Sequence, residues 1–127
     1  MRWLGVLAAM GLAGAAVPAI AHHSQGAVYD QFHTIAIVGT ISRIEVQNPH
    51  SVIEIAIPLG DGNAITWVAE GRGVDSMNRA GFNSTSVRVG DKVTVTGSPA
   101  WAIEHRMWLG ALQTSRGKLY DFNPHAN

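Results

Sequence analysis

Thr34-Ile35-Ala36-Ile37-Val38-Gly39-Thr40-Ile41-Ser42-Arg43-Ile44-Glu45-Val46 is the longest strand-like run in the chain. Its apolar residues keep one parity and then change it. Ile35, Ile37 and Ile41 take odd positions, whereas Ile44 and Val46 take even ones. Successive strand side chains point to opposite faces, so a straight strand would turn the second set away from the core. A bulge near Ser42-Arg43, or a bend at Gly39, restores the match. The expectation is a long first strand that bends midway and serves both sides of a small barrel.

Downstream, Asn48-Pro49-His50 reads as a turn, because Pro49 removes a donor and fixes φ. Ser51 to Pro58 alternates as a second strand, with Ile53, Ile55 and Ile57 inward and Glu54 outward. Gly60-Asp61-Gly62-Asn63 is a hairpin turn, and Ala64 to Glu70 a third strand. Gly73 to Ala80 reads as a short helix stopped by Gly81. Lys92 to Gly97 is a fourth strand. Arg106 to Thr114 is a fifth, interrupted by Gly110, and Leu119 to Phe122 a short last one. The order predicts an all-β protein, a small five- to six-stranded OB-like Greek-key barrel with one short helix between strands three and four. A small sandwich or an unclosed meander is the alternative.

Upstream lies a different kind of sequence. Arg2 is followed by an apolar run from Trp3 to Val17, then Pro18 and Ala19-Ile20-Ala21. A basic start, an apolar middle and an A-x-A end make a Sec-type signal peptide. The run is shorter than the ~20 residues of a membrane span. The expected organisation is a cleaved signal at 1–21, an extended arm at 22–33, the barrel at 34–122 and a tail at 123–127. Tyr29 and Phe32 are the residues expected to pin the arm. The protein is expected in the periplasm or secreted, with no membrane span after processing.

The whole chain carries nine Lys+Arg against nine Asp+Glu and no Cys. A neutral chain has no electrostatic footprint for nucleic acid. Without Cys there are no disulfides, thiolate ligands or thiol nucleophiles, and the core alone must hold the fold. No Ser nucleophile motif, paired-carboxylate spacing or phosphate-cradling loop is present, so an enzyme is not expected.

A set of short motifs runs through the chain in order. It comprises Ala21-His22-His23-Ser24, Tyr29-Asp30, Gly39-Thr40-Ile41, Asn48-Pro49-His50, Trp67-Val68-Ala69-Glu70, Arg79-Ala80-Gly81-Phe82 and Gly90-Asp91-Lys92-Val93-Thr94-Val95. With these the chain resembles a family of uncharacterised secreted bacterial proteins, a domain of unknown function. The family often has a Gly-containing turn after Pro99, where this chain has Trp101-Ala102-Ile103-Glu104-His105. The resemblance implies no activity.

All six histidines follow Ala21. Cleavage there makes His22 the first residue, whose α-amine and ring Nδ1 close a chelate on one metal. One more imidazole gives three nitrogens, a set suited to Cu(II). His23 offers a second mode through amine, amide and ring. His50, on the Pro49 turn, is the preferred third ligand, with His33 and His105 in reserve. Glu70 reads as a surface carboxylate or as an acid orienting a histidine. Trp67, Trp101 and Trp108 are expected in the core, with an apolar groove as the alternative for the last two. The expected function is a periplasmic barrel that binds a metal ion, copper first, through its mature N-terminal histidine. The alternative is a non-catalytic adaptor with no metal, contacting a protein partner or small ligand through the barrel face.

Overall fold

The computed structural model describes residues 25–123. The chain forms α1 (Gln25–Val28), β1 (Ile35–Glu45), β2 (Val52–Pro58), β3 (Ala64–Glu70), α2 (Val74–Arg79), β4 (Lys92–Pro99), β5 (Arg106–Thr114) and β6 (Leu119–Asp121). The strands pair in the order β3-β2-β1-β4-β5-β6, and a further β3–β5 pairing closes five of them into a barrel. That closing contact is parallel, Val68 to Glu70 against Arg106 to Trp108, while the other named strand pairs are antiparallel. Closure leaves these five strands few free edges. No helix among the described residues is long and apolar enough to cross a membrane.

The parity change in β1 is resolved by a bulge. Ile41 pairs with Ile55 and Arg43 with Glu54, so Ser42 is the extra residue. The first half of β1 pairs with β4 and the second with β2. One strand thus serves both halves of the barrel. Ile37 and Ile41 enter the core, and Ile44 and Val46 pack against it beyond the bulge. A second bulge lies in β5. Thr96 opposes Ala111 and Gly97 opposes Leu109, leaving Gly110 unpaired within a continuous strand. Leu109 and Leu112 therefore both face inward. Gly97 is required there, because a Cβ would sit 2.0 Å from the Trp108 carbonyl oxygen.

The helix fills one end of the barrel. Met77 and Phe82 are fully buried, and Phe82 sits edge-on to Tyr120 and Phe122. Asn48 starts this helix from a distance, since its Oδ1 accepts the Val74 N–H at 2.9 Å.

Three expectations are corrected. The arm is not extended throughout, because Gln25–Val28 forms a helical turn. Tyr29 is buried, but Phe32 is 91% exposed and pins nothing. Asp30 N–H donates to the Pro99 carbonyl at 2.8 Å, and the turn that follows carries Phe32 into solvent. Trp101 is 58% exposed rather than buried in the core.

Candidate functional site

The barrel register builds a polar cluster on the outer surface. Ala69 faces the core, so Glu70 faces out. Met107 and Leu109 face the core, so Arg106 and Trp108 face out beside it. Glu70 pairs with both Val52 and Trp108, placing it where three strand ends meet. His50 enters from the turn before β2.

The arm covers this patch. Tyr29 bridges to Ala100, Trp101 N–H donates to the Val28 carbonyl at 2.9 Å, and the Trp101 indole N–H donates to the Gly26 carbonyl at 3.1 Å. Trp101 thus clamps the arm instead of filling the core. Trp108 is buried outside the core cluster, with its ring 5.7 Å from Tyr29 and 5.3 Å from His50.

Glu70 is the hub. Its Oε2 accepts from Arg106 Nη2 at 2.6 Å and from the Tyr29 hydroxyl. The same hydroxyl accepts from Arg106 Nε at 3.0 Å. Glu70 Oε1 lies 2.6 Å from His50 Nδ1. Burial alone would raise the Glu70 carboxyl, but the bonds from Arg106 and Tyr29, the Arg106 charge and the His50 bond outweigh it and hold the carboxyl below its ordinary range. Burial, together with the Glu70 carboxylate, pushes the Tyr29 phenol up to about 12. The bonds to Glu70 and Tyr29 raise Arg106 further, so it stays charged.

An ionised carboxylate only accepts hydrogen bonds, so His50 Nδ1 carries the proton. In the neutral ring Nε2 then holds the free lone pair. A carboxylate fixing one ring nitrogen while the other stays available is how metal-binding histidines are oriented. His50 is half-exposed. His33 has the same kind of partner, Asp30 Oδ2 at 2.6 Å from its Nδ1. Burial tends to raise Asp30, but the His33 bond and the Phe32 N–H hold it below its ordinary value.

The remaining sequence-derived ligands divide. His105 has φ 55°, and its ring centroid lies 5.4 Å from that of Trp67, which is half-buried against the core. His22 and His23 lie outside the described residues. Among the described residues no three His, Asp or Glu side chains form a group fit to hold a metal. His50, His33 and His105 each have a separate partner. The residues that sequence reasoning missed are Arg106, Asp30 and the Tyr29 hydroxyl. A signal existed for Arg106, the one charge in its strand, sharing parity with Trp108.

The sequence profile of one family matches residues 9–106. The chain belongs to DUF6152, a family of unknown function. The DUF6152 match contains Tyr29, His50, Glu70 and Arg106, so the whole hydrogen-bonded hub lies within it. No curated protein matches. Among solved structures, the chain is similar to the mitochondrial single-stranded DNA binding protein Rim1 from S. cerevisiae. That similarity has a TM-score of 0.51 and 18% identity, over 68% of this chain and 96% of the other. It bears on the fold, and the OB-type barrel is the fold they share.

Proposed function

We propose that this DUF6152 barrel is an exported protein that binds a metal ion, copper first, at a site joining the N-terminal histidines to His50. The observation that carries the reading is the His50–Glu70 contact at 2.6 Å, on a carboxylate that also anchors Tyr29. The arm that begins at His22 is therefore tied to the carboxylate that orients His50. His22 lies three positions before Gln25, a span of at most about 10 Å. The amine and ring of His22 supply two nitrogens and His50 Nε2 the third. His23 offers the second chelate mode. His33, oriented by Asp30, is the next choice for the third ligand, and His105 follows. Three nitrogens without a thiolate favour Cu(II) over Zn(II) in the divalent affinity order. The role we propose for it is copper handling or delivery.

Calorimetric titration of the mature chain with Cu(II) and Zn(II) tests this. One Cu(II) per chain, bound more tightly than Zn(II), is expected. His50→Ala should weaken binding by about 10–100-fold, the scale for losing a supporting metal-site group. Absence of stoichiometric Cu(II) binding overturns the reading in favour of a metal-free adaptor.

A further inference from the structure

The opposite end of β5 carries a second feature. The strand starts at Arg106, beside Glu70, and ends at Thr114, roughly 26 Å away at about 3.3 Å per residue. A cleft of about 530 Å³ lies there, lined by Arg88, Lys92, Arg116 and Lys118, with Asp91 the acid of the lining. Four of the chain's nine Lys and Arg thus gather in one place with one of its nine acids.

Arg43 pairs with Glu45 and Glu54, and Arg106 with Glu70, but among the described residues none of the cleft's four cations joins an ion pair. Asp91 Oδ2 instead accepts the Arg88 backbone N–H at 2.9 Å. The walls are fixed by their own bonds. Thr114 Oγ1 accepts the Lys118 N–H at 3.2 Å, Asn83 Oδ1 accepts the Thr85 N–H at 2.9 Å, and the Lys118 ammonium stands 5.0 Å over the Tyr120 ring. Hydroxyls of Ser86, Thr114 and Ser115 add donors, while the Thr85 hydroxyl already donates to Asn83 Oδ1 at 2.6 Å. Unpaired like charges held together are relieved by a multivalent anion, and guanidinium groups favour phosphate oxygens.

We propose that this cleft is a binding site for a ligand carrying two phosphate charges, either free or in a lipid headgroup. Pyrophosphate is the probe for the free form, titrated calorimetrically into the mature chain. Vesicles of cardiolipin in phosphatidylcholine are the probe for the lipid form, in co-sedimentation against phosphatidylcholine alone. Binding should weaken as salt rises to about 0.15 M. The Arg116→Gln/Lys118→Gln double variant should weaken it by at least about tenfold, since charged hydrogen bonds are lost. Both side chains are exposed, and the variant gives up only the Lys118–Tyr120 contact, so its unfolding midpoint should move little. Pyrophosphate binding assigns a soluble ligand, and cardiolipin binding alone assigns a headgroup. Binding of neither probe, or binding the double variant leaves unchanged, overturns the proposal.

Discussion

His50 and Glu70, 20 residues apart in sequence, meet at 2.6 Å between Nδ1 and Oε1. The other oxygen of the same carboxylate holds Arg106 and Tyr29. One side chain therefore orients a histidine, neutralises an arginine and ties down the N-terminal arm.

Glu70→Gln should disturb all three. The amide keeps the shape but loses the charge, and leaves Arg106 without its partner. Breaking a buried pair costs about 3–5 kcal/mol, and partial exposure of Arg106 brings the expectation to about 2 kcal/mol. Denaturant unfolding measures it. A change below about 0.5 kcal/mol, the ordinary surface scatter, would show that the hub does not support the barrel.

Tyr29→Phe removes only the hydroxyl. The ring keeps its packing on Trp108, while Glu70 loses a donor and Arg106 an acceptor. A loss of about 1–1.5 kcal/mol is expected from denaturant midpoints. Tyr29→Ala should cost more and expose the α1 segment to proteolysis before the barrel unfolds.

The same groups set the pH limits. Glu70 is held below its ordinary value of 4.5 in the folded chain, so the unfolded chain takes up its proton first as pH falls. Its contribution is complete above about 4.5 and is lost as pH drops further. Tyr29 is raised from 10.0 to about 12, so its contribution is complete below 10.0 and is lost as pH climbs toward 12. Stability measured against pH should show the alkaline loss in the natural chain and a smaller one in Tyr29→Phe. Identical alkaline limbs would mean that Tyr29 does not carry it.

Deleting Ser42 removes the bulge but leaves regular alternation, with Ile41 and Ile44 both inward, whereas inserting one residue after Arg43 turns Ile44 and Val46 away from the core. Losing the burial of two half-buried aliphatic side chains should cost about 2 kcal/mol or more. Insertion with unchanged thermal unfolding would show that the register is not set there.

The barrel was legible because strand alternation is local. The change of parity between Ile41 and Ile44 located the Ser42 bulge without any long-range information. Glu70 as an acid orienting a histidine was also within reach, since it ends a strand near a rigid His50 turn. The outer cluster was not. It depends on the parallel β3–β5 register and on the docked arm, which join residues 41 and 77 positions apart. Trp108 looked like core because it is large and apolar, yet its neighbours Met107 and Leu109 take the inward positions. Trp101 has the same residue type and ends as an exposed clamp, a role set by the Gly26 carbonyl.

If export ends between Ala21 and His22, the intact mass of the exported chain should correspond to a start at His22. Any other start removes the amine chelate.

The central claim is that the His22 amine and the His50 ring hold one copper ion together. Its most direct test is calorimetric Cu(II) titration of the chain starting at His22 beside a form with several residues added before it. A single added residue is unsuitable, because it would place His23 third from the amine and create a different chelate. The account predicts that the extended form binds more weakly, by more than the loss expected of His50→Ala, with the barrel unfolding unchanged. Equal affinity in the two forms would contradict it, and would leave the histidine pair as a solvated tail on a metal-free binding module.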